Sequence, residues 1–294
     1  MTWHPVDIGG KPLADLPRGI IIVATPLGNV ADATPRLAQA LAQADYIAAE
    51  DTRRTRSLAQ SLGVDIRGRV MSNFDHNEQA RVAQLLGFAR SGTVVIVTDA
   101  GMPIVSDPGF PLVAAAHDEG IPVTCFPGPS AVLTALALSG LHVGKFAFDG
   151  FAPRKTRQRR TWLEGLKKET RAVCFFESPH RIAATLADAV EILGEQRRVA
   201  VARELTKTYE EVKRGCLGEI AQWAEQGIRG EITVVLEGVQ EVITEHDKDA
   251  LVAQVLAYCD EGMRLKEACA LVAQRSGASK KELYNAVLES RDGA

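Results

Sequence analysis

Glycine and proline crowd three places in this 294-residue chain, each just behind a short apolar run. Ile20–Ala24 leads into Thr25-Pro26-Leu27-Gly28-Asn29, and Val94–Val97 into Asp99-Ala100-Gly101-Met102-Pro103, with Ser106-Asp107-Pro108-Gly109 behind. Val123–Phe126 leads into Pro127-Gly128-Pro129-Ser130-Ala131. Glycine lets a backbone approach a ligand closely, and proline holds a loop without extra ordering cost. One such loop is ordinarily a turn. Three behind three strand-like runs point to a small-molecule cleft, because open parallel sheets bind ligands at the carboxyl ends of their strands. No GxxxxGK[ST] phosphate loop is present and no GxGxxG follows the first run. ATP hydrolysis and the usual doubly wound NAD site are therefore unsupported, which leaves other nucleoside-containing cofactors open.

Polar clusters supply the remaining candidates. Glu50-Asp51-Thr52-Arg53-Arg54-Thr55 and Ser72-Asn73-Phe74-Asp75-His76-Asn77-Glu78 each precede a helical pattern. Asp51 or Asp75 can cap a helix start by accepting from its free N–H groups; the rest of each cluster suits a polar rim around a substrate. His76 sits inside the second cluster and is a candidate proton acceptor. Residues 154–160, Arg-Lys-Thr-Arg-Gln-Arg-Arg, carry five positive charges in seven positions. With 34 basic against 37 acidic residues the net charge is −3, so coating nucleic acid by bulk charge is excluded, and any phosphate contact must come from a local patch such as this. Arg53, Arg54 and Arg56 extend it if the fold brings them near. Phe175–Arg181, Arg203–Thr208 and Arg229–Thr233 place charged groups at strand ends, where lining a cleft and forming structural ion pairs are both open.

The elements that must position these groups follow from the pattern. Length implies about two domains, and 46% hydrophobic with 24% charged residues is ordinary globular composition. Five cysteines without a CxxC pair read as reduced thiols, with Cys125 and Cys174 as small core residues. No basic segment followed by an apolar one opens the chain, and no apolar stretch approaches the ~20 residues of a membrane span, so a cytoplasmic protein without membrane contact is expected. Ile20–Ala24, Tyr46–Ala49, Thr93–Val97, Pro122–Phe126, Ala172–Phe176, Val199–Ala202 and Glu231–Leu236 read as strands. Pro35–Ala44, Asn77–Ala89, Pro129–Leu138 and Pro179–Leu193 read as helices between them. Alternation of this kind implies an α/β fold with mainly parallel sheets. Breaks near Pro127-Gly128-Pro129 and after Gly238 predict a leader (1–17), an N-terminal α/β domain (18–127), a C-terminal α/β domain (128–240) and a helical tail domain (244–294).

Taken in order, VATPLGN, AAEDTRRTR, DHNE, VTDAGMPIVSDPG, PGPSA, GFAPRK, FESPHR, ARELTKTYEEV and RGEITVVL make the chain similar to the tetrapyrrole methylase family over roughly 18–240. AAEDTR, ESPHR and RELTK resemble its RNA-methylating branch rather than its corrin and sirohaem branch. Phe74 stands where that pattern has a more polar residue, and Met102 where it has a small one. The resemblance implies two α/β domains with a cleft between them and S-adenosylmethionine as methyl donor in that cleft. Matching donor-binding positions are Pro26, Leu27 and Gly28, then Asp99, Ala100, Gly101 and Ile104. Ser130 and Ala131 follow, with Phe176, Arg203, Glu231 and Thr233 from the second domain. The implied acceptor is the 2′-hydroxyl of a cytidine in the decoding region of 16S ribosomal RNA, on the small ribosomal subunit. His76, Asp107 and Glu177 are the candidate bases. Arg53 and Arg54 with Arg154, Lys155, Arg157, Arg159 and Arg160 are the candidate RNA grip, and a homodimer is implied. No metal site is assigned. A tetrapyrrole methylase and a non-catalytic ribosome-assembly protein that binds RNA are the competing expectations.

Overall fold

Alternate residues of the central runs point to opposite faces, and both faces are buried, which is why the runs are continuously apolar. The computed structural model describes residues 14–74, 78–239, 245–276 and 278–292. The expected leader therefore falls mostly outside the described residues, and so does His76. Strands β1 (Gly19–Val23), β2 (Tyr46–Ala49), β3 (Arg69–Ser72), β4 (Thr93–Val97) and β5 (Val123–Phe126) form one sheet in the order β3-β2-β4-β1-β5. Every pairing in it is parallel. Between the strands run α1 (Pro35–Gln43), α2 (Thr52–Ser61), α3 (Glu78–Ala89) and α4 (Phe110–Asp118). Val95 and Val97 pack with Leu37, Leu41 and Ala59 on one face; Val94 and Ile96 pack with Leu85, Leu86 and Leu112 on the other. Each fully buried Val, Leu or Ile among them contributes roughly 1.5–3 kcal/mol of burial.

The second sheet departs from the expectation of mainly parallel pairing. It contains β6 (Phe146–Phe151), β7 (Ala172–Glu177), β8 (Arg198–Arg203), β9 (Glu211–Cys216) and β10 (Ile232–Leu236), in the order β6-β7-β10-β8-β9. Only β6 with β7 is parallel; β7–β10, β10–β8 and β8–β9 are antiparallel. The connection from β8 to β9 is too short for a parallel crossover, which takes a dozen or more residues. Helices α6 (Thr156–Gly165), α7 (Ile182–Leu193) and α8 (Leu217–Ala224) cover one face, and α5 (Ala131–Ser139) covers the other through Val132, Ala135 and Leu136.

The described residues up to Gly238 form one compact unit, and those from Val239 form another. The latter consists of α9 (Glu245–Asp260), α10 (Leu265–Ser276) and α11 (Lys280–Asp292) around a core of Val252, Val255, Ala268, Cys269, Val272, Leu283 and Val287. Among the described residues no helix is long and apolar enough to cross a membrane. All five cysteines are unpaired. Cys174 is buried, and burial pushes its thiol up to about 12, so it is an inert core residue. Cys125 is only half-buried.

Candidate functional site

Neighbouring strands β1 and β4 end side by side, and their loops are stitched together. Thr25 N donates to Gly101 O at 2.9 Å and Gly101 N to Thr25 O at 3.1 Å. Thr25 Oγ1 also donates to Thr98 O at 3.2 Å. These bonds fix the first two of the three Gly/Pro loops against one another. The third ends at Ser130, which opens α5 without a side-chain capping bond. A cavity of about 420 Å³ lies where these loops meet the ends of β7 and β10. Of the expected donor-binding residues it is lined by Leu27, Asp99, Ala100, Gly101, Ser130, Ala131, Phe176, Glu231 and Thr233. Met102 lines it as well. Residues from 25–131 and from 176–233 thus come together on one wall-to-wall site.

Pro26 and Gly28 border a smaller adjoining cleft of about 180 Å³, which shares Leu27, Arg54, Thr98 and Asp99 with the larger one. A Cβ on Gly28 would collide with Cγ of Lys207. The close backbone approach at Gly28 makes room for the Lys207 stem beside this cleft. Lys207 Nζ in turn holds Glu204 at 2.9 Å and Glu231 at 3.1 Å. Ile104 and Arg203 do not line the cavity. Arg203 Nε donates to Glu211 at 2.7 Å, an ion pair along the β8–β9 edge.

Sequence reasoning named Asp99 for the donor and Arg54 for RNA, but did not single out Glu50, which joins them on the floor of the site. Glu50 Oε2 accepts from Thr98 Oγ1 at 2.6 Å and from Asp99 N at 3.0 Å. Asp99 Oδ1 accepts from Asp51 N at 3.1 Å, and Arg54 Nη1 stands 3.5 Å from Asp99 Oδ2. Glu50, Asp99 and Arg54 all line the cavity. Burial, and then the charge of Glu50, raise the Asp99 carboxyl above its ordinary range, with Arg54 opposing them. AAEDTR carried this signal: Asp51 caps α2, accepting from Arg53 N at 2.8 Å, which leaves the preceding Glu50 at the strand end facing the neighbouring β4.

The candidate bases separate. Asp107 lines the cavity. Glu177 lines it too, but its buried carboxylate already accepts from Ser178 N at 2.7 Å, Thr185 Oγ1 at 2.6 Å and Arg181 Nη2 at 2.6 Å. Those three donors make it a structural anchor for the start of α7. His76 lies outside the described residues.

The basic run also divides. Arg159 is buried, with its guanidinium 2.6 Å from Asp188, and Arg160 pairs with Asp188 and Glu191, each at 2.7 Å. The expectation that all five charges face RNA is corrected here: the helical period of α6 turns Arg159 onto α7. Burial pushes the Asp188 carboxyl up, but Arg159 and Arg160 hold it below its ordinary value on balance. Arg154, Lys155 and Arg157 are exposed, and Lys155 and Arg157 border a shallow surface depression with Trp162. Arg53 is exposed and engaged by Asp51 at 2.8 Å.

Comparison with known proteins places the chain in a family. Residues 19–221 match the family model described as tetrapyrrole (corrin/porphyrin) methylases, and residues 246–291 match that of the RsmI C-terminal HTH domain. The chain is 54% identical over 274 residues to "Ribosomal RNA small subunit methyltransferase I" of Mycobacterium bovis, covering 92% of this chain and 95% of that one. It is 40% identical over 276 residues to the protein of that name from Escherichia coli O157:H7, with the same coverage. Among solved structures, the methyltransferase CobJ superposes with a TM-score of 0.57 at 19% identity, over 76% of this chain and 95% of that one; this likeness concerns the fold. The chain belongs to the tetrapyrrole methylase family, in the branch of the two full-length relatives just described.

Proposed function

We propose that this protein transfers a methyl group from S-adenosylmethionine to the 2′-hydroxyl of a cytidine in the decoding region of 16S ribosomal RNA, acting on the small ribosomal subunit in the cytoplasm. The observation that carries the reading is the cavity on the strand ends, whose lining matches the chemistry of the methyl donor. Glu50, Asp99 and Glu231 offer negative charge to a cation, the uncapped start of α5 at Ser130 offers N–H donors to a carboxylate, and Leu27, Val132 and Phe176 offer apolar surface. A ligand with a sulfonium, an amino-acid end and an aromatic base fits that donor set. When bound, S-adenosylmethionine supplies a methyl group activated by a positively charged sulfur. The names of the 54% and 40% identical relatives support RNA as the acceptor.

The chain's own residues then have two tasks. The loops hold the acceptor oxygen in line with the methyl carbon, a positioning effect able to supply much of the acceleration. A base takes the hydroxyl proton as the oxygen becomes an ether. Glu50 and Asp99 are the pair we assign to that proton, because they are adjacent carboxylates on the cavity floor, and burial with the charge of Glu50 raises the proton affinity of Asp99. Asp107 lines the same cavity and is the second candidate.

The test is methyl transfer from labelled S-adenosylmethionine to small subunits lacking their native methylations, with the RNA digested to nucleosides. Label in 2′-O-methylcytidine is expected. No label with donor binding intact would favour a tetrapyrrole acceptor; no label and no donor binding would favour an assembly protein.

Two further outcomes are expected. An Arg154→Ala/Arg157→Ala variant should bind RNA more weakly and reduce the slope of log K against log salt by about 2; an unchanged slope in a salt titration would remove these two residues from the RNA interface. Light scattering of the purified protein should give the mass of a homodimer.

A further inference from the structure

The acceptor nucleotide needs something to hold its base once it leaves the RNA stack, and the cavity is small for two ligands. At about 420 Å³ it lies near the lower end of the roughly 300–1,000 Å³ typical of small-molecule sites. A donor inside it leaves the acceptor to be presented at the mouth. Phe151 is there: it lines the cavity and is nevertheless 59% exposed, more than any other large apolar side chain lining it.

The backbone aims this ring. Along edge strand β6 the register with β7 pairs Phe146 with Ala172, Ala147 with Val173 and Phe148 with Cys174, then shifts so that Phe151 pairs with Phe176. Residues three apart in a regular strand point to opposite faces. The irregularity between Phe148 and Phe151, with Gly150 at φ +69°, returns Phe151 to the face of Phe148. Both rings then meet Phe176 edge-on, with centroids 5.0 and 5.4 Å away. Phe151 is thus propped from behind by a ring that lines the cavity, while most of its own surface is open. Exposing so much apolar ring is otherwise unfavourable. Immediately after it come Arg154, Lys155 and Arg157, which are exposed and appear in none of the ion pairs that tie down Arg159 and Arg160.

We propose that Phe151 is the stacking platform for the unpaired base of the acceptor RNA, with the adjoining phosphates held by Arg154, Lys155 and Arg157. This rests on the reading of the protein as an RNA methyltransferase and adds where the acceptor base goes. Aromatic stacking tolerates any base and combines naturally with a basic strip tracking the backbone. The ring therefore supplies grip and orientation at the cavity mouth, not base identity.

The test is equilibrium binding of a fluorescein-labelled, cytidine-containing single-stranded RNA to the full-length protein and to Phe151→Ala and Phe151→Trp. Phe151→Ala is expected to weaken binding by about 5- to 100-fold, and Phe151→Trp to stay within about three-fold of the parent. Calorimetric affinity for S-adenosylmethionine and the melting curve should be the same for all three proteins. Equal RNA affinity of Phe151→Ala and parent overturns the proposal. So does a parallel loss of S-adenosylmethionine affinity, which would assign the ring to the donor. Failure of the broader reading looks different: the parent would bind the oligonucleotide through Phe151 yet place no label in subunit RNA.

Discussion

Glu50→Gln is expected to lower kcat for methyl transfer by about 10²- to 10⁴-fold, the range for loss of a general base, with RNA affinity retained. The glutamine carbonyl can still accept from Thr98 Oγ1 and Asp99 N, so the loops after β2 and β4 keep the bonds that Glu50 now makes at 2.6 and 3.0 Å. What is lost is one negative charge and one proton acceptor. The pH profile carries the sharper signature. Asp99 is raised first by burial and then by the charge of Glu50, so its deprotonated form, the one able to take a proton, is reached at a higher pH than for an ordinary aspartate. The rate should therefore fall as the pH drops through that raised value. Removing the Glu50 charge lowers the Asp99 value, so the acid limb of Glu50→Gln moves to lower pH even though its plateau is reduced. Arg54→Met removes an opposing positive charge 3.5 Å from Asp99 and should move the limb to higher pH. If kcat–pH profiles of the two variants superimpose on that of the parent, the pair does not handle the proton.

Asp188→Ala is expected to destabilise the protein by about 3–5 kcal/mol, the cost of leaving a buried charge without its partner. The Arg159 side chain is 7% exposed and that of Asp188 11%, at 2.6 Å. Truncating the aspartate strands the guanidinium against α7, whereas Arg160 keeps Glu191 and stays partly in water. The sign with pH follows from the lowered Asp188 carboxyl: its contribution is present above the unfolded carboxylate value and is lost as pH falls through the lower folded one. Urea denaturation near neutral pH checks the magnitude. A double variant, Arg159→Met/Asp188→Leu, should recover much of the loss, because an apolar pair needs no desolvation of charge. Arg154→Ala/Arg157→Ala should change stability by less than about 0.5 kcal/mol, as exposed substitutions do. Equal stability of Asp188→Ala and parent would show that the Arg159–Asp188 pair does not hold α6 against α7.

The missed strands share one property. β3, β6 and β9 are three of the four sheet edges, whereas the fourth edge, β5, and the central strands β1, β2 and β4, and β7, β8 and β10, were all legible as apolar runs. A central strand is buried on both faces and paired on both sides, so its residues must be apolar; an edge strand is half in water and carries polar residues, as Glu-Val-Lys-Arg-Gly-Cys does in β9. Edge strand β6 reads Phe-Ala-Phe-Asp-Gly-Phe, and its register shift hides the alternation that would have marked it.

By itself the sequence determined the alternation of strands and helices, the family, and the three loops that form the cavity, because burial pattern and Gly/Pro placement are local properties. Only the tertiary structure decided which charges are used up and which remain. Arg159 and Arg157 are two residues apart on one helix, yet one is locked to Asp188 and the other is exposed. Glu177 and Glu50 both end strands at the cavity, yet Glu177 is held by three donors from the start of α7, while Glu50 shares the floor with Asp99. The difference lies in partners 29 residues from Arg159 and 49 from Glu50, and a charge's solvation and proton affinity depend on what surrounds it in space.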